Sequence, residues 1–201
     1  MGDMKLFAMT LTAVLTTFIL ISCASRLPMP SGIPEISPRD FETLSQQKSK
    51  KVEVYEGLMN KMTVSATWLD SELSEATLSH SARIAQWQEP KYKEERFKVV
   101  NRHTDKTEFF VSFYTPERKS ADLANTKNLW KIYLDVNGQR YEGKATKIKQ
   151  LLSEIQSIYP QHNRWSYPFI VTFPVATALV ENKPAVLTLT GAVGSAQLIF
   201  N

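Results

Sequence analysis

The sequence predicts a mainly β fold, an antiparallel β-sandwich loosely immunoglobulin-like in pattern, with one inserted amphipathic helix. Three observations predict it. Several short segments alternate apolar and polar residues with period two, the dipeptide Asn137-Gly138 joins two of them, and one long helical stripe follows an early capping residue, Asp70.

Val52 to Tyr55 and Met62 to Trp68 read as the first strands. Asp70 then offers an N-cap with Glu72 in the first turn of a helix that runs to about Gln88. Leu73, Ala76, His80, Ile84 and Trp87 share one face of it at helical spacing, and that face should pack on a sheet. Thr107 to Thr115 is a strand with Phe109, Val111 and Phe113 on one side, closed by Pro116.

Trp130, Ile132, Leu134 and Val136 alternate with Lys131, Tyr133 and Asp135, and Asn137-Gly138 follows. Both central residues of a type I′ turn need positive φ, which Asn and Gly tolerate, so a hairpin is expected with Gln139 to Thr146 as its return strand. Tyr133 should be exposed. Trp165, Tyr167, Phe169, Val171 and Phe173 alternate again, with Pro168 and Pro174 marking an edge strand or strand ends. Ala185 to Thr190 and Ser195 to Phe200 form a last hairpin around Gly191-Ala-Val-Gly194, and Lys147 to Tyr159 carries a brief helical pattern.

Ahead of these elements, Pro28, Pro30, Pro34 and Pro38 fall too close together for a helix or a central strand. The segment reads as an extended tether, with a short helix around Asp40 to Gln47 inside it. The expected organisation is therefore a leader over 1–22, a tether over 23–51 and a single β-rich domain over 52–201.

Composition narrows the function classes. A net charge of +4 is a mild excess, well short of the clustered basic surface a nucleic-acid binder needs. The chain has one cysteine, which excludes a disulfide framework.

That cysteine ends an apolar run. Lys5 precedes sixteen uncharged residues, Leu6 to Ile21, too short to span a hydrocarbon core comfortably, which takes about 20. Leu20-Ile21-Ser22-Cys23 follows, and with the basic start it resembles the processing box of bacterial lipoproteins. The resemblance covers the first 23 residues only. It implies cleavage before Cys23, a diacylglyceryl group on its thiol and acylation of the new amino group. Two or three acyl chains, at about 0.8 kcal/mol per buried CH₂, anchor a protein durably to a bilayer. Within the Gram-negative part of the class an Asp after the cysteine retains the protein at the inner membrane. Ala24 stands there instead, so the resemblance implies the outer membrane.

No residue pattern names a reaction. Gly191-Ala-Val-Gly194-Ser195 has the wrong order for a nucleophile elbow and reads as a turn. Ser45-Gln-Gln-Lys48 has the Ser-x-x-Lys spacing but sits in the tether. His80, His103 and His162 are far apart in sequence; His80 reads as a satisfied helix residue and His162 as a surface loop residue. Asp135-Val-Asn137-Gly138 lacks the remaining ligands of a calcium loop. Lys91 to Lys98 and Lys144 to Lys149 read as solvated charged faces. Catalytic, metal and cofactor-binding residues are thus expected to be none, leaving Cys23 as the one assigned site.

The four tryptophans, with Tyr114, Tyr133, Tyr141 and Tyr167, are enough to fill a core or to line a sugar- or partner-binding face. The expected function is a lipid-anchored envelope protein that binds or scaffolds, its partners being the membrane through Cys23 and an envelope protein or glycan. Two alternatives stand beside it. One is an envelope hydrolase built from scattered carboxylates such as Glu72, Glu75, Asp105 or Asp135, and the other an accessory subunit that receives a partner strand on an open edge at Trp165 to Phe173.

Overall fold

The computed structural model describes residues 31–125, 127 and 129–201. The leader and Cys23 lie outside them. Among the described residues nine strands form two antiparallel sheets: β1 (Ser49–Glu56), β2 (Met59–Trp68), β3 (Thr107–Tyr114), β4 (Lys131–Val136), β5 (Gln139–Glu142), β6 (Lys144–Lys147), β7 (Tyr167–Phe173), β8 (Ala185–Gly191) and β9 (Gly194–Phe200). One sheet has the order β1-β2-β3-β7-β6 and the other β5-β4-β8-β9. The protein is mainly β, a sandwich of two sheets rather than a closed barrel.

Period-two alternation builds the core. Met62, Val64, Ala66 and Trp68 of β2, Phe109, Val111 and Phe113 of β3, and Phe169, Val171 and Phe173 of β7 face Ile132, Leu134, Val136, Leu187, Leu189, Leu198 and Phe200 of the second sheet. Each large side chain removed from water in this way contributes about 1.5–3 kcal/mol. Phe109 meets Phe173 and Phe200 edge-on, at centroid distances of 5.9 and 5.2 Å. That T-shaped arrangement is the one ring quadrupoles favour.

Turn chemistry fixes the hairpins. Asn137 and Gly138 take φ of 50° and 74°, as the type I′ turn requires, and β4 pairs with β5 from Val136 opposite Gln139. The expected return strand divides, however. Gln139–Glu142 pairs with β4, while Lys144–Lys147 pairs with β7 in the other sheet. The chain crosses between sheets at Gly143, whose amide donates to the Ile132 carbonyl at 2.8 Å. A Cβ there would stand 2.5 Å from the Phe173 ring, so only glycine passes this close.

Among the described residues five α-helices accompany the sheets: α1 (Pro38–Gln47), α2 (Ser71–Ile84), α3 (Glu89–His103), α4 (Leu152–Ile158) and α5 (Thr177–Val180). Besides the inserted helix, α1 matches the short helix expected over Asp40 to Gln47 and α4 falls within the helical pattern of Lys147 to Tyr159, whereas α3 and α5 were not expected. The inserted helix is α2. It is capped as predicted, the Asp70 carboxylate accepting from the Leu73 amide at 2.9 Å. It stops at Ile84 rather than Gln88, because the chain turns through Gln86 at φ 50° and carries Trp87 to a separate cluster with Ile33, Leu78, Ala82 and Tyr92. α3 forms where a solvated basic stretch was expected. Its pairs Lys91–Glu95, Lys93–Glu89 and Lys98–Glu94 lie four residues apart on the helix surface, and Tyr92 alone is buried.

α1 and the residues before it belong to the packed body rather than to a tether. Ile33 and Phe41 are buried, and Phe41 packs with Leu73, Ala76, Phe110 and Ile155. Pro38 does not extend the chain here. It occupies the first turn of a helix capped by Ser37, where a missing N–H costs nothing.

Two further expectations fall. β7 is an interior strand, paired with β3 on one side and β6 on the other, so Trp165 to Phe173 offers no open edge. Tyr133 is half-buried, because the Arg140 guanidinium covers its ring at 4.9 Å. Among the described residues no helix is long and apolar enough to cross a membrane.

Candidate functional site

The outer face of the five-stranded sheet is divided by composition. Thr67 pairs with Phe110, and Phe110 with Ile170. This row is covered: Phe110 and Ile170 pack under Phe41, Leu73 and Ile155, and Tyr159 stacks flat on Phe110 with ring centroids 3.8 Å apart. Two pleats further along, the rows are polar. Lys51 pairs with Ser65, Ser65 with Ser112 and Ser112 with Pro168, while Glu53 pairs with Thr63 and Thr63 with Tyr114. These rows offer helices little apolar surface to bury, and apart from Ser112, which His162 covers, they form the floor of a trough.

Three adjoining cavities of about 240, 440 and 590 Å³ make up the trough, linked through shared lining residues Lys51, Thr63, Tyr114, Trp165 and Ser166. One wall is Gln46 and Ser49 at the end of α1, and the other is the loop from Gln161 to Ser166. Internal bonds hold that loop. His162 is buried with Nδ1 2.8 Å from the Ser112 hydroxyl, its carbonyl accepts from Gln156 Nε2 at 2.9 Å, and Phe110 meets its ring edge-on. Asn163 Oδ1 accepts from the Trp165 amide and from the Ser166 hydroxyl.

The consequence is a fixed loop that presents an indole to solvent. Trp165 is 71% exposed, whereas Trp68 is in the core, Trp130 donates from Nε1 to the Ser120 carbonyl, and Trp87 packs among the helices. Tyr167 continues the aromatic edge, under the Lys147 ammonium at 4.6 Å. Polar capacity remains unspent inside the trough. Gln161 Oε1 accepts from Ser45 at 3.3 Å, but its Nε2 is buried without a partner, a state that calls for a water or a ligand. Charge is one-sided: Lys50, Lys51, Arg118 and Arg164 line the trough against the single carboxylate of Glu53, which Lys51 pairs. Among the described residues Lys50, Arg118 and Arg164 have no acidic partner.

The residues singled out from sequence go elsewhere. Ser45 and Lys48 do not meet: Ser45 donates to Gln161, while Lys48 pairs with Asp70 at 2.6 Å and Glu72 at 2.8 Å. Burial alone would lower the Lys48 pKa, but its hydrogen bonds to Asp70 and Glu72 outweigh that and raise it. His80 is buried and satisfied, stacked on Phe41, with Nε2 on the Ser157 carbonyl at 2.9 Å and Nδ1 facing Arg83. His103 lies 3.3 Å from the Ser74 hydroxyl. Burial depresses the pKa of all three histidines. His162 is thus a buried support of the trough wall rather than a surface residue, because its ring fills the space over Phe110 and Ser112.

The scattered carboxylates are not gathered either. Glu72 pairs with Lys48, Glu75 binds Tyr92 and Arg96, Asp135 grips Arg140 through two oxygens on the opposite sheet, and Asp105 sits in the turn after α3. Among the described residues no group of three His, Cys, Asp or Glu side chains could hold a metal ion.

Sequence reasoning missed the trough. Its signal was the polar composition of Thr63, Ser65, Ser112 and Tyr114 on the second face of strands read only for their apolar face. Nothing among known protein families, curated proteins or solved structures matches this chain.

Proposed function

We propose that this protein is a lipid-anchored component of a bacterial cell envelope whose sandwich domain binds a ligand along the trough and does not turn it over. The anchor rests on Leu20-Ile21-Ser22-Cys23 and the leader before it. Ala24 directs the protein to the outer membrane where the envelope has one. The observation that carries the binding role is the half-covered sheet, with an exposed Trp165 on a hydrogen-bonded loop beside unspent hydrogen-bonding groups. Function concentrates on loops held by a rigid scaffold, and the Gln161–Ser166 loop is such an element.

Labelling cells with radioactive palmitate tests the anchor. The wild-type protein should carry label and sediment with membranes, and Cys23→Ser should carry none. Equal label in both would overturn the anchoring.

A further inference from the structure

We propose that the trough binds a carboxylate-bearing oligosaccharide. This rests on the trough being the binding face, and three features of it select the ligand.

The first is Trp165. A large aromatic side chain left 71% exposed, on a loop whose backbone the Asn163 side chain holds, is a platform rather than a packing residue. A pyranose ring has one apolar C–H face that an indole covers well, and the ring's equatorial hydroxyls then point sideways to neighbouring polar groups. Tyr114 and Tyr167 line the same cavity as Trp165 and extend the platform along the trough.

The second is the polar lining. Thr63 and Ser65 on the floor and Gln161 and Asn163 on the wall carry hydroxyls and amides, which donate and accept, as a sugar hydroxyl does. Asn163 has spent its oxygen on Trp165 and Ser166, which leaves its NH₂ as a donor, and Gln161 Nε2 is a second donor with no protein partner. A peptide added by strand pairing would need an open backbone edge. The trough floor is instead the pleated face of the paired strands β1, β2 and β3.

The third is charge. Arg118 and Arg164 stand at the Trp165 end, Lys50 and Lys51 at the α1 end, and Glu53 is the one acid between. Cations at both ends suit a chain with acid groups on more than one unit. The planar Arg fork matches a carboxylate in two parallel hydrogen bonds. Adjoining cavities of 240, 440 and 590 Å³ likewise suit several sugar units in a row rather than a single small ligand.

The full-length protein in detergent, titrated calorimetrically with hexagalacturonate, neutral chitotetraose and inorganic polyphosphate, tests the assignment. Hexagalacturonate should bind, chitotetraose about tenfold more weakly, and polyphosphate more weakly still, since it offers no ring to stack. Trp165→Ala should weaken hexagalacturonate about tenfold, the equivalent of one aromatic stack. Arg164→Gln should weaken it and lessen its salt dependence, and Lys131→Gln on the far sheet should change nothing. Both trough residues are exposed, so an unaltered melting temperature shows that each variant is folded. Absence of hexagalacturonate binding, equal binding of polyphosphate, or an unaffected Trp165→Ala would overturn the proposal. A benzophenone amino acid at position 165 in living cells separates two kinds of failure. If saccharides do not bind but this probe crosslinks a protein, the trough is a binding face and the glycan assignment is wrong; if neither occurs, the binding face is wrong as well.

Discussion

Phe41→Ala is the sharpest test of how the helical layer is built. Phe41 is 1% exposed, stacks on His80 with ring centroids 4.0 Å apart and planes 9° apart, and packs with Leu73, Ala76, Phe110 and Ile155. Truncation removes the transfer energy of the ring and leaves a cavity between α1, α2 and the sheet, which the rigid strand below cannot close. Changes of this kind cost about 3–5 kcal/mol, against a total stability of about 5–15 kcal/mol. For a domain of this size each kcal/mol lowers the melting temperature by about 2–4 °C, so a fall on the order of 10 °C is expected. Urea unfolding followed by circular dichroism reads the cost directly. Phe97→Ala serves as the control, because Phe97 is 67% exposed on α3 and its loss should stay within about 0.5 kcal/mol. A cost below about 1 kcal/mol for Phe41→Ala would mean that α1 is a detachable part of the spacer, and the packing argument would be wrong.

Asp70→Ala should cost about 2 kcal/mol, since it removes both the cap on the Leu73 amide and a partner of the partly buried Lys48. Asp70→Asn keeps an acceptor for the amide and should cost clearly less; equal losses by denaturant titration would refute the cap. Gly143→Ala drives a methyl to within 2.5 Å of the Phe173 ring and should destabilise by about 1–3 kcal/mol, and an unchanged melting temperature would show that the crossover is loose. Burial holds His80, His103 and His162 below their ordinary pKa, so the unfolded chain binds more protons as pH falls. Their contribution is complete above about pH 6.5 and is lost as pH drops from there through the folded values, a loss that pH-dependent urea midpoints should show and that His80→Gln should reduce. A flat profile between pH 7 and 5 would contradict the burial of these rings.

Where residues alternate against a single core, the strands could be read from the sequence. Phe109, Val111 and Phe113 announce β3, Asn137-Gly138 the type I′ hairpin of β4 and β5, and Asp70 the start of α2, because each signal is local. The missed elements depend on distant partners. α3 has no apolar stripe, only four-residue charge pairs around a lone buried Tyr92. α1 was legible as a short helix but was placed in a tether, because its prolines suit a tether and a helix start equally well, and only Phe110 and His80, far along the chain, show that it packs on the body. Gly143 sends half of an apparently continuous strand into the other sheet for want of a side chain, a constraint set by Phe173 thirty residues later. The trough was illegible for the same reason: Ser65, Ser112 and Trp165 become neighbours only through sheet register and a loop pinned by His162.

Hydrogen–deuterium exchange of the full-length protein with and without saturating hexagalacturonate tests the role of the trough most directly, because it reports where a ligand sits without altering any residue. Slower exchange should appear in the loop 161–166 and in β2 and β3 beneath it, with β8 and β9 unchanged. Protection centred on the second sheet, or none anywhere, would contradict a binding face built on Trp165.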